Sequence, residues 1–73
     1  MGSVLIIDDD KELCTLMKKC IEQEAMSALV ANGGKEGLRL LDENKNLFYL
    51  VILDVILPDV DGIQVLEQIR QTS

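Results

Sequence analysis

Val4-Leu5-Ile6-Ile7-Asp8-Asp9-Asp10 and Leu50-Val51-Ile52-Leu53-Asp54 decide how this chain folds. Each is a four-residue apolar run, β-branched in part, that ends abruptly in aspartate. A continuous run of that length reads as a strand buried on both faces, as found inside parallel sheets. Between them, Leu13, Leu16, Met17, Cys20 and Ile21 recur at spacings of three and four from Lys11 to Glu24. That spacing predicts an amphipathic helix with Asp10 or Asp9 as its N-cap and Glu12 available for a capping box. Ala28 to Ala31 is a weaker strand, broken by Asn32-Gly33-Gly34. A second helix is predicted from Lys35 to Glu43 with Leu38, Leu40 and Leu41 apolar, ending at Asn44-Lys45-Asn46. Gly37 weakens it by about 1 kcal/mol relative to Ala. Beyond the strand near 50–54, Pro58 prevents continuation. Asp61-Gly62-Ile63-Gln64 then has the form of a capping box opening a third helix that buries Val65, Leu66 and Ile69. Strands near 4–7, 28–31 and 50–54, each followed by a helix, make the βαβ alternation of a doubly wound α/β sheet.

Seventy-three residues make at most one modest domain, one that buries only about 60% of its unfolded surface. With 48% hydrophobic and 27% charged residues, the composition is that of an ordered globular chain. No apolar run approaches the roughly 20 residues of a membrane helix, no basic leader precedes an apolar stretch, and Ile6 stands where a myristoylation signal needs Ser or Thr. Cys14 and Cys20 lie six positions apart on one predicted helix, about 9 Å along its axis, whereas a disulfide needs Cα atoms within about 7 Å. Reduced thiols at core or boundary positions, in a cytoplasmic protein, are the expectation.

The net charge of −6 argues against a nucleic-acid surface within this segment. Its location is more informative. Asp8, Asp9 and Asp10, with Asp54, Asp59 and Asp61, account for the whole excess, since the remaining acids equal the seven bases in number. The excess therefore sits in two loops that flank apolar runs, which is the pattern of a cation site. In doubly wound sheets ligands bind beyond the carboxyl ends of the strands, where strand order reverses. If strands one and three are neighbours there, Asp8, Asp9 and Asp54 meet in one crevice. Three carboxylates within about 4–6 Å repel strongly unless a cation compensates them. Oxygen ligands without His select a hard ion, Mg²⁺ or alternatively Mn²⁺.

The other acids have simpler readings. Asp10 and Asp61 are read as helix caps and Asp59 as a turn residue after Pro58, so that its replacement is expected to do little. Gly33, Gly34 and Gly37 read as a tight turn, because neither G-x-G-x-x-G nor G-x-x-x-x-G-K-[ST] occurs. A calcium EF-hand loop fails at Leu57 and Gln68. The D-x-D-x-[TV] of haloacid dehalogenase-type phosphatases fails at Ile56 and at Glu12.

Taken together, Val4-Leu5-Ile6-Ile7-Asp8-Asp9-Asp10 and Val51-Ile52-Leu53-Asp54-Val55-Ile56-Leu57-Pro58-Asp59-Val60-Asp61-Gly62 resemble the receiver domain of two-component response regulators. The resemblance runs across all 73 residues, including Gly34-Lys35-Glu36-Gly37-Leu38, where the family usually has G-x-x-A-L. Tyr49 stands where an acid is common. The family implies a flavodoxin-like fold, a five-stranded parallel sheet of order 2-1-3-4-5. It also implies Asp54 as acceptor of a phosphoryl group from the phosphohistidine of a sensor histidine kinase or phosphotransfer protein. Mg²⁺ is then held by the carboxylates of Asp9 and Asp54 and the backbone carbonyl of Ile56, with Asp8 acting through bound water. Such a module is a switch rather than a multiple-turnover enzyme. Residues 1–73 correspond to the N-terminal part of that domain, and the switch Ser/Thr, its aromatic partner and the active-site Lys belong to strands four and five. Two other readings stand beside it: an interaction module whose acids form a vestigial site, and a metal-dependent phosphatase with an aspartyl nucleophile. With strand three apolar on both faces and no fourth strand beside it, the isolated segment is expected to self-associate along that edge.

Overall fold

Three strands and three helices alternate along the chain in the computed structural model, which describes residues 2–44, 46–54 and 56–72. They are β1 (Ser3–Ile7), α1 (Lys11–Gln23), β2 (Ser27–Ala31), α2 (Gly34–Glu43), β3 (Phe48–Leu53) and α3 (Gly62–Thr72). Lys45 and Val55, quoted above within a turn and a motif, lie outside the described residues. The strands form one parallel sheet of order β2-β1-β3, so β1 is central. Its five residues are all buried, as a strand covered on both faces requires.

Side-chain alternation along β1 divides the core into two. Val4 and Ile6 pack with Cys14 and Ala28, joined by Met17, Ile21 and Val30. Leu5 and Ile7 pack on the opposite face with Ala31 and Val65, joined by residues of α2, β3 and α3. The helices thus lie on both faces of the sheet, with α1 on one and α2 and α3 on the other. Passing from β2 to β3, the chain crosses over β1, and the strand order reverses between β1 and β3.

The predicted elements are all present, with instructive differences. β3 begins at Phe48 because Ser3 pairs with Phe48 while Val4 pairs with Leu50, an irregularity that leaves Tyr49 as an extra residue with an exposed side chain. Its hydroxyl donates to Met26 Sδ at 2.7 Å. On α1 the packed stripe is Cys14, Met17 and Ile21. Leu13 and Cys20 are exposed and Leu16 is 59% exposed, contrary to expectation. Both stripes fit helical spacing and share Met17 and Ile21, but their centres differ by a rotation of less than one residue's turn of about 100°; the strands below α1 lie on the Cys14 side. Likewise α3 buries Val65 and half-buries Ile69, while Leu66 is 42% exposed. The two faces of β3 are also unequal. Val51 and Leu53 pack into the second core, but Leu50 remains 49% exposed and Ile52 is also exposed.

Candidate functional site

The ladder places three acids side by side. Ile7 pairs with Leu53 in register, so the next residues, Asp8 and Asp54, leave the same end of adjoining strands. Backbone bonds carry the ladder one step further: Asp54 N–H donates to the Ile7 carbonyl at 2.9 Å and Asp8 N–H to the Ala31 carbonyl at 3.0 Å. Asp8, Asp9 and Asp54 each present a carboxylate oxygen within 4.8 Å of the others. Asp8 and Asp54 are half-buried and Asp9 is exposed, so the group opens to water on one side. The crevice lies where strand order reverses, the position expected of a ligand site in this architecture.

Local hydrogen bonds sort the remaining acids. Asp10 caps α1 by accepting Leu13 N–H at 3.0 Å, which leaves Asp9 to the carboxylate group. The capping box with Glu12 does not form, since Glu12 is one position short of reciprocal reach and the Asp10 N–H donates to Asp8 Oδ1 instead, at 2.9 Å. Asp61 opens α3 as expected, its Oδ1 accepting Ile63 N–H at 3.0 Å. Asp54 Oδ1 accepts Ile56 N–H at 3.0 Å, turning the chain away from β3.

Asp59 is a correction. It is more than a turn residue: its two carboxylate oxygens accept the N–H groups of Gly34 at 2.9 Å and Lys35 at 3.0 Å, the first residues of α2. Gly33 precedes that helix and has no side chain to cap it. The bonds from Lys35 and Gly34 hold the Asp59 carboxyl below the usual carboxylate range. The amides of Gly34 and Lys35 are thus taken up within the chain. Gly34 itself serves close packing, because a Cβ there would overlap Val60.

Two further residues went unnoticed as site components. Asn32 Nδ2 donates to the Asp8 carbonyl at 3.1 Å, and the buried Cys14 thiol donates to the same oxygen at 3.3 Å. Burial, then the carboxylates of Asp8 and Asp10, push the Cys14 thiol up. A breaker signal at Asn32 and a helical spacing at Cys14 say nothing of a partner 24 or six positions away.

The donor set suits a hard divalent cation. It offers three carboxylate oxygens and no imidazole, and the neighbouring sulfur is buried and already bonded to a carbonyl.

A parallel α/β sheet with an acidic group at the switch point defines a class, and comparison with known proteins places the chain within it. Residues 4–73 match the family model described as the response regulator receiver domain. The chain belongs to that family. It is 40% identical over 72 residues to the transcriptional regulatory protein CpxR of Escherichia coli K12, covering 99% of this chain and 30% of that protein. A response regulator receiver domain from Clostridium thermocellum superposes with a TM-score of 0.92 at 30% identity, covering 100% of this chain and 58% of that one. A chain in the complex of histidine kinase ThkA with response regulator protein TrrA gives 0.85 at 29% identity, covering 100% and 61%. The chain therefore spans somewhat over half of these receiver structures and under a third of the curated relative. Among the described residues, no helix is long and apolar enough to cross a membrane.

Proposed function

We propose that this chain is the N-terminal part of a phosphoacceptor receiver module in which Asp54 takes a phosphoryl group from a histidine kinase or phosphotransfer protein. The observation that carries this reading is the convergence of Asp8, Asp9 and Asp54 at the carboxyl ends of β1 and β3. In the proposed step an Asp54 carboxylate oxygen attacks the phosphorus of a phosphohistidine. The P–N bond breaks, a P–O bond forms, and imidazole leaves. Asp9, Asp54 and the Ile56 carbonyl would hold Mg²⁺ (or Mn²⁺), with Asp8 reaching it through water. The ion would offset negative charge on the transferring group. The module accepts phosphate stoichiometrically rather than turning over, works in the cytoplasm, and passes its state to an output outside this segment. The complex named for ThkA and TrrA supports a kinase as partner.

Intact-mass measurement tests the acceptor. In a chain extended through the remainder of the receiver domain, acetyl phosphate with Mg²⁺ should add one phosphoryl group to wild type and none to Asp54→Asn. Equal labelling of the two would remove Asp54 from the role. No labelling of either favours a vestigial interaction module, and sustained hydrolysis of small phosphate esters favours a phosphatase. Self-association belongs to the same reading of the isolated 73 residues. Among the described residues β3 pairs with β1 on one side only, and light scattering at rising concentration should show the mass increase.

A further inference from the structure

The loop from β3 to α3 starts at Asp54 and passes through Ile56. At its base, Ile56 N–H is bonded to Asp54 Oδ1 and Ile56 pairs with Asp61 in an antiparallel bridge. These contacts shape the loop internally but do not fix where it sits against the rest of the fold. Asp59 and Val60 do that, together with Leu57, which packs against the second core. Asp59 docks on the first two amides of α2, and Val60 lies against Gly34 where a Cβ would be. Both bonds join a charge to N–H groups at a helix N-terminus, where charge-assisted bonding and the helix dipole act in the same sense. Two residues before Gly34, Asn32 grips the Asp8 carbonyl. Direct contacts thus run from the loop that begins at Asp54, through the start of α2, to the backbone of Asp8.

We propose that Asp59 is a positioning residue for the carboxylate site, holding Asp54, Ile56 and the Asp8 turn in fixed relation through the N-terminus of α2. The proposal rests on the reading of Asp54, Asp9 and Asp8 as the Mg²⁺ and phosphoacceptor group. Asp59 touches neither the ion nor the phosphoryl group. Its effect is geometric and passes through α2, so it is expected at the lower end of the about 10- to 100-fold range found for groups bonded directly to metal-holding residues.

The test uses Mg²⁺ alone as probe, followed by amide NMR shifts at Asp9 and Asp54, together with the rate of Asp54 labelling by acetyl phosphate. The protein is the extended receiver chain as wild type, Asp59→Ala, Asp59→Asn and Asn44→Ala. Asn44 bonds the Leu40 carbonyl at the opposite end of α2, so its loss weakens the same helix away from the site. Asp59→Ala should weaken Mg²⁺ about tenfold and slow labelling. Asp59→Asn keeps one acceptor oxygen and should fall between it and wild type, while Asn44→Ala should stay within about twofold of wild type. An Asp59→Ala protein with wild-type Mg²⁺ affinity and labelling rate overturns the proposal and leaves Asp59 a helix cap only. Should Asp59→Ala not fold, Asp59→Asn decides, and wild-type affinity there overturns it equally. A wild type that neither binds Mg²⁺ nor is labelled overturns the phosphoacceptor reading itself, and the proposal with it.

Discussion

Asn32 donates its side-chain amide to the main-chain carbonyl of Asp8 at 3.1 Å, joining the turn after β2 to the turn after β1. That carbonyl also receives the Cys14 thiol, so the backbone of one candidate ligand is held from two elements. Removing the amide should cost about 1 kcal/mol, the usual value of such a bond, and loosen Asp8. Asn32→Asp should be worse than Asn32→Ala, because it sets a fourth negative charge against a carbonyl oxygen beside the acidic group. Urea midpoints and Mg²⁺ affinities of the two variants check the order. If Asn32→Asp proved the milder change, the bond does not orient Asp8.

Gly37 lies where the family usually has Ala, and helix propensity alone predicts that Gly37→Ala stabilises by about 1 kcal/mol. The packing predicts the reverse. A Cβ there would sit 2.6 Å from Ile7 Cδ1 and 2.9 Å from Ile7 Cγ1, in a fully buried side chain. Overpacking of this kind costs about 1–3 kcal/mol, so Gly37→Ala should destabilise on balance. Ile7→Val removes the Cδ1 atom, and the double variant should recover part of the loss. A double-mutant cycle in urea measures that coupling, and additive effects would show that the two residues do not compete for the same space.

The Asp59 cap carries a pH signature. Its folded-state carboxyl lies below the ordinary value, so its contribution is complete above roughly pH 4, where free aspartate is ionised. It fades as pH falls through the depressed value. The protection of the Gly34 and Lys35 amides, measured against their intrinsic exchange rates at each pH, should therefore hold steady down to the ordinary carboxylate range and fall only below it. An Asp59 carboxyl titrating at or above the ordinary aspartate value in NMR contradicts the bonds described.

The two thiols should differ sharply. Cys20 is exposed, whereas Cys14 is buried and its thiol is pushed up by burial and by the carboxylates of Asp8 and Asp10. At neutral pH a disulfide reagent should modify Cys20 promptly and Cys14 only as the fold opens. Because the Cys14 value is raised, the stability gained by burying its neutral thiol is complete below the free-thiol value and is lost as pH climbs through the raised one. Equal rates at neutral pH, followed by mass spectrometry, would show that α1 does not seal Cys14.

Much of this molecule is readable before folding because its signals are local. β1 and β3 announce themselves as unbroken apolar runs, and Asp8, Asp9 and Asp54 stand out because acids follow those runs directly. What stayed hidden depends on partners distant in sequence. Asn32 and Asp59 act on backbone atoms 24 and 25 positions away, and an Asp after proline carries a sufficient local explanation. The α1 stripe misled for another reason. Leu13 and Leu16 outrank Cys14 in hydrophobicity, yet rotation about the helix axis is set by where the sheet lies.

The central position of β1 also bears on the order of events during synthesis. Of the three strands it is made first, and its neighbours are Ser27–Ala31, 24 positions later, and Phe48–Leu53, as many as 46 positions later. Among the described residues no hairpin nucleates the sheet, because both of its strand pairs are parallel and must wait for a helix to cross over. Val4–Ile7, fully buried once the three strands are assembled, must therefore wait through two crossovers for its partners, and a stalled or slowly made chain exposes this apolar stretch to misassembly.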